Sequence, residues 1–255
     1  MAFTLMTQFY KILLFVLVIG LSSCGPDENG AGQSTEEGTS HKGTVKYKVS
    51  YPYFKGESLA KAMLPKEMYF VYEDGLINTF TKKGGLMRMG VMGSPKLDSV
   101  SMYLDFGNLD IRSNFSGTAI KSFIESQTKL DIQFVEGETK KIAGLTCKKA
   151  IGKYMDGSNP DFTIWYTEEL GVEKPNFYNP YAKINGVLME FEMERFGLVS
   201  HCEAESYSPD LPEQHEFMLD TNFLQINFEK FENEIRDIFE KTVGEDNLTP
   251  KDSAI

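Results

Sequence analysis

Cysteine is scarce in this chain, with three in 255 residues at positions 24, 147 and 202. That count excludes a disulfide framework and a Cys-x-x-Cys zinc site. Histidine is equally thin: His41, His201 and His215 lack any ligand spacing with one another, so the sequence predicts no metal centre and no catalytic triad. Positive charge is in deficit, with 26 Lys and Arg against 37 Asp and Glu and a formal net charge of -11. So acidic a surface repels phosphate backbones, which argues against a nucleic-acid partner. The glycine- and methionine-rich stretch GGLMRMGVMG is not followed by Gly-Lys-Ser/Thr, so it is no phosphate loop.

What is present begins at the N-terminus. Lys11 precedes an apolar run from Ile12 to Leu21, broken only by Gly20 and followed by Ser22 and Ser23, which reads as a signal peptide over residues 1–23. The run is too short for the ~20 residues that a bilayer-spanning helix needs. Leu21-Ser22-Ser23-Cys24 resembles the bacterial lipobox, in which the cysteine becomes the mature N-terminus and carries the acyl chains. Cys24 is therefore the expected lipidation site, and several chains would hold a soluble domain on a membrane almost permanently. Residues 24–42 are rich in glycine and acidic side chains and hold no large apolar one, so they read as a flexible tether. Gly25 rather than aspartate after the cysteine points by resemblance to the outer membrane of a Gram-negative bacterium, on its periplasmic or its outer surface.

Residues 43–244 read as a single mainly β domain of the α+β kind, and residues 245–255 as a disordered tail. Val45, Tyr47, Val49 and Tyr51 alternate with polar residues, and Asp74-Gly75 marks a hairpin inside MYFVYEDGLINTFTKK. Further strands are predicted at LMRMGVM, SVSMYLDF, TCKKAIGKY, DFTIWYTEE, VLMEFEMERF and LVSHCEAESY, with turns at Ser94-Pro95 and Gly157 to Pro160. Strands at this density without intervening helices imply a curved antiparallel sheet or half-barrel. A few helices should pack on it: Ser58 to Leu64, Thr118 to Thr128, and a C-terminal one carrying Phe228, Phe231, Ile235, Ile238 and Phe239 at helical spacing.

Chemistry-bearing constellations are few. Glu190, Glu192 and Glu194 recur at strand period about 7 Å apart. They read as a solvated face opposite Val187, Met189, Phe191 and Met193, with a revived acid/base role only if Glu190 and Glu192 met a histidine in a cleft. Cys147 and Cys202 lie on predicted strands, and two outcomes stay open, a disulfide between them or two separately buried thiols. Trp165 reads as core, and the methionines as adaptable core or pocket lining rather than copper ligands.

Lys140, Ile142, Gly144, Cys147 and Ala150, then Trp165, Tyr166, Thr167 and Leu170, then Gly186, Val187, Leu188 and Glu190 resemble the GLPGLI family of lipoproteins. Ile184 and Asn185 stand where that family has Leu-Pro. The resemblance covers residues 138–194 and implies a LolA/LolB-like architecture with helices packed in the concavity of a curved sheet. It implies no cofactor and no catalytic residue. The expectation is a non-enzymatic module that binds a hydrophobic or lipid ligand, or alternatively an envelope protein partner.

Overall fold

In the computed structural model the described residues are 41–54, 62, 64–81, 87–213, 217 and 222–243. The predicted signal peptide, Cys24, most of the tether, most of the Ser58–Leu64 helix and the 245–255 tail lie outside them. The described chain already makes contacts at His41, whose N–H donates to Asp74 Oδ1 at 3.1 Å and whose ring packs on Tyr72.

Alternating apolar and polar residues give a first meander of six strands: β1 (Lys42–Ser50), β2 (Glu67–Glu73), β3 (Leu76–Thr81), β4 (Met87–Ser94), β5 (Ser99–Phe106) and β6 (Leu109–Ser116). A helix, α1 (Thr118–Ser126), leads to a second meander of β7 (Leu130–Ile142), β8 (Leu145–Tyr154), β9 (Phe162–Thr167), β10 (Val187–Arg195) and β11 (Leu198–Ser208). The short β12 (Leu224–Gln225) and the C-terminal helix α2 (Phe228–Val243) follow. β1 pairs antiparallel with β11, which joins the two meanders into one open, curved sheet ordered β12-β6-β5-β4-β3-β2-β1-β11-β10-β9-β8-β7. All pairings are antiparallel except β12 with β6. β6, β7 and β12 have no counterpart among the strands read from sequence.

Turn chemistry explains the connections. Asp74 and Gly75 both adopt positive φ, 48° and 85°, the two left-handed positions that a tight hairpin between right-twisted strands requires. Ala143-Gly144 repeats that geometry between β7 and β8, at 50° and 85°.

The main core lies on one face of β2, where Met68, Phe70 and Tyr72 are buried, but Val71 on the opposite face is buried too. It belongs to a smaller cluster with Phe80, Met92, Tyr103 and Phe223, against which Leu211 and Phe217 pack. Cover on both faces is why EMYFVYE reads as a nearly continuous apolar run rather than a strict alternation. The helices close the other side. Phe115 at the end of β6, Phe123 of α1 and Phe228 of α2 meet edge to face with centroids 5.2 to 5.5 Å apart. Phe231, Ile235 and Phe239 form the buried stripe of α2, each worth roughly 1.5–3 kcal/mol of burial. Asn227 Oδ1 accepts from the Lys230 N–H and caps the helix start at 2.8 Å.

Candidate functional site

The long β9–β10 connection folds against the core. Asn176, 4 % exposed, donates both amide hydrogens, to the carbonyls of Ile184 and Gly186, each at 2.9 Å. The Tyr178 hydroxyl pairs with Thr79 Oγ1 on β3 at 2.8 Å, and Gln127 Nε2 after α1 donates to the Tyr178 carbonyl at 3.3 Å. Tyr181 donates its hydroxyl to the Glu192 carbonyl on β10. These bonds tie the connection to the sheet, and its residues share with the strands the lining of a cavity of about 230 Å³. Its walls are mostly apolar, with aromatic and thioether side chains prominent: Tyr47, Phe70, Met89, Tyr178, Phe191 and, from α1, Phe123 contribute. A larger depression of about 590 Å³ along β3 to β6 is lined by Arg112, Phe217 and several serines. It is an open surface hollow that shares no lining residue with the cavity.

One wall of the cavity is charged. Glu192, Glu194 and Arg195 line it. Arg195 is paired with Glu232 of α2 and lies over the Phe196 ring at 5.1 Å. Glu194 accepts from the Thr128 hydroxyl and, at 2.6 Å, from the Gly197 N–H. Glu192 differs from both. It is 7 % exposed, and its Oε2 is enclosed without a hydrogen-bond partner. Burial raises its pKa, while His201 and the Tyr154 hydroxyl act in the opposite direction. His201 sits between two carboxylates, with Nδ1 3.9 Å from Glu192 Oε1 and Nε2 3.9 Å from Glu190 Oε1. Glu190 also receives Lys140 Nζ at 2.5 Å, and that ammonium lies 5.1 Å over the Trp165 ring.

A line of ionisable groups therefore runs from Tyr154 through Glu192, His201 and Glu190 to Lys140. This corrects two expectations. The glutamates of β10 are not a freely solvated face, because His201 is the register partner of Glu192 on β11 and the Tyr154 hydroxyl of β8 reaches the Glu192 carboxyl. Trp165 is half-buried on the side of β9 that carries the Lys140–Glu190 pair. His201 and Cys202 do point to opposite faces: the ring keeps 30 % exposure while Cys202 has none.

Cys147 on β8 and Cys202 on β11 are both free and buried, with β9 and β10 between their strands. Burial pushes the Cys147 thiol up to about 11 and the Cys202 thiol up to about 12, so both stay protonated and weakly nucleophilic at neutral pH. Among the described residues no group of three or more His, Cys, Asp and Glu is arranged to hold a metal ion. No described helix is long and apolar enough to cross a membrane. Met89 lines the cavity and Met87 packs partly buried on the core. Asn176, Tyr178 and Tyr181 were missed from the sequence, although PNFYNPY, with two prolines among aromatics and asparagines, signals a rigid, sticky connection. No protein-family model and no curated protein matches the chain.

Proposed function

We propose that this chain is a lipid-anchored, non-enzymatic binding module of the Gram-negative cell envelope, tethered through Cys24, whose sheet acts as a half-barrel around a small hydrophobic ligand. The observation that carries the reading is the cavity of about 230 Å³ walled by aromatic and methionine side chains. A well-packed interior leaves few voids larger than a water molecule, so a mainly apolar hollow this large is exceptional. It exceeds the ~150 Å³ cavity known to take benzene and falls short of the ~300 Å³ at which drug-sized sites begin. The ligand is thus one ring or a short chain, or the end of a longer molecule. The thiols held protonated by burial favour binding over nucleophilic chemistry.

The test is displacement of a neutral fluorescent dye such as Nile red, compared with Val91→Phe, which fills the cavity from β4. Saturable binding by the wild type that the variant loses supports the module, and equal binding by both refutes it. The anchor is tested separately, because Cys24→Ser should abolish labelling by radioactive palmitate and release the protein from membranes.

A protein partner is the second reading. β7 is an edge strand of the sheet, and Phe134 on it is 52 % exposed. Cross-linking from position 134 in intact cells that captures one defined protein would favour it, and recovery of uncoupled protein alone would count against it.

A further inference from the structure

We infer that the hollow of about 590 Å³ along β3 to β6 is a second binding site, for a small hydroxylated anion such as a sugar acid or sugar phosphate, with Arg112 as the ligand of its anionic group. The hollow and the cavity have no lining residue in common, so this site and the hydrophobic one stand or fall separately.

Strand register builds the site. Antiparallel partners project from the same face of a sheet. Ser99 of β5 has Ser94 of β4 on one side and Ser116 of β6 on the other, and Ser101 is flanked in the same way by Met92 and Asn114. Arg112 lies two residues before Asn114 along β6 and so shares that face. Three neighbouring strands thus present four hydroxyls, an amide and a guanidinium to the hollow.

Hydroxyls alone are ordinary on a wet sheet, and Arg112 is what sets this face apart. Among the described residues that line the hollow it alone is charged, in a chain whose net charge is -11. Arg88 has Asp105 at 3.7 Å, and Arg195 is paired with Glu232. The Arg112 side chain has neither an ion pair nor a hydrogen bond among the described residues. Its Nε is enclosed, which fixes the stem, while neither Nη is enclosed. A guanidinium held this way offers a planar fork of donors that matches a carboxylate or phosphate. Beside it, Ser101 donates to Asn114 Oδ1 at 2.6 Å, which commits the amide oxygen and leaves its two N–H donors for a ligand.

The same lining argues for a hydroxylated body. An alkyl chain would desolvate the serines without replacing their hydrogen bonds, whereas sugar hydroxyls exchange bonds with them. Leu76 and Leu97, 37 % and 72 % exposed, supply an apolar rim for the C–H face of a sugar ring. The volume falls within the ~300–1,000 Å³ of small-molecule sites.

The experiment is an NMR titration of the ¹⁵N-labelled full chain with D-glucuronate, D-glucose 6-phosphate and D-glucose. About 0.15 M salt confines the reach of remote acidic residues to a screening length of ~8 Å. Amide signals of β4 to β6 should shift saturably with an anionic sugar, and glucose should bind about tenfold more weakly. Tighter binding of glucuronate assigns a sugar acid, tighter binding of the phosphate assigns a sugar phosphate, and both support the site. Arg112→Gln should bring both anions down to the level of glucose. Arg112→Lys should keep a weaker preference for them, because lysine supplies the charge without the fork. Unchanged signals outside β4 to β6 show that the variants fold. Equal affinity for all three sugars, no shift in β4 to β6, or anion binding that survives Arg112→Gln overturns the inference, and none of these results bears on dye binding in the cavity.

Discussion

The two halves of the sheet are built to different standards of regularity. From β1 to β6 each strand pairs with the next without a break in register. From β7 to β10 the ladder is interrupted twice, between Val135 and Thr139 on β7 and between Leu188 and Glu190 on β10. The irregular half also contains the long β9–β10 connection and the Glu192–His201 contact. Bulges bend a strand and re-aim its side chains. In β10 this places Glu192, Glu194 and Arg195 in the cavity wall. The regular half supplies a mainly apolar wall with Thr79 and Thr81, and the charged residues of the wall, Glu192, Glu194 and Arg195, all lie on the bulged strand β10.

The sharpest way to break that contrast is to cut side chains from each half and from their junction. Tyr47 of β1 is fully buried at the junction, and its hydroxyl donates to the Leu188 carbonyl of β10 at 2.6 Å. Tyr47→Ala should cost about 3–5 kcal/mol and abolish ligand binding. Tyr47→Phe keeps the ring but leaves that carbonyl unpaired, so about 1–3 kcal/mol is expected. Leu104→Ala in the regular half should cost about 2–5 kcal/mol, yet leave dye affinity unchanged. Urea midpoints and dye titrations measure both quantities. A Leu104 variant that loses binding in proportion to stability would show that the halves are not functionally distinct.

Asn176 is the next lever. Replacing it with Ala strands two buried carbonyls, at Ile184 and Gly186, for a loss of about 2–3 kcal/mol. Hydrogen exchange should then rise across residues 176–186 while β2 to β5 remain protected. Uniform acceleration across the sheet would instead mean that the connection folds as one unit with the regular half.

Both halves were largely legible as strands, β1 to β5 and β8 to β11, while β6, β7 and the environment of Glu192 were not, for reasons visible in particular residues. Asp74-Gly75 and the stretch SVSMYLDF carry local signals, and the structure has a two-residue turn and a strand there. β6 escaped because Ser113, 1 % exposed, occupies an inward position where the pattern asks for an apolar residue. β7 escaped because most of an edge strand faces water and shows no alternation. In α2 the stripe of Phe231, Ile235 and Phe239 was readable because a helix needs only one apolar face. Glu192 was misread for the converse reason. Period two says that it opposes Phe191, but it cannot say that strand register will set His201 beside it or that Tyr154 will reach its carboxyl.

The burial of Glu192 makes stability depend on pH. Burial raises the Glu192 pKa above the ~4.3 of an unfolded glutamate, so the folded state binds this proton more tightly than the unfolded one. The charged form is therefore destabilising above the raised pKa. That cost fades as pH falls through the raised value and is gone below about 4.3. Glu192→Gln should stabilise the protein by about 1–2 kcal/mol at neutral pH, with the gain vanishing near pH 4. Denaturant midpoints across that range decide it. A gain independent of pH would show that Glu192 is not a strained carboxyl, and the irregular half would lose its functional mark.

The smallest effect comes from comparing two turns of the same geometry, one in each half. Asp74 at φ 48° and Ala143 at φ 50° each precede a left-handed glycine. Aspartate tolerates this region and here also accepts the His41 N–H. Alanine has no such compensation, and its Cβ crowds the following carbonyl at a cost of about 1–2 kcal/mol. Ala143→Asn should recover part of this, about 0.5–1 kcal/mol, since asparagine visits the region readily. The gain is smaller than the full cost because Ala143 packs partly against the core and asparagine surrenders that contact. Asp74→Ala should lose a comparable amount, which makes the turns interchangeable in energy and distinct only in the residue each half retains. If Ala143→Asn gives no gain while Asp74→Ala is costly, the Ala143 methyl contributes more by packing than it loses by strain, and the β7–β8 turn belongs to the core rather than to the surface.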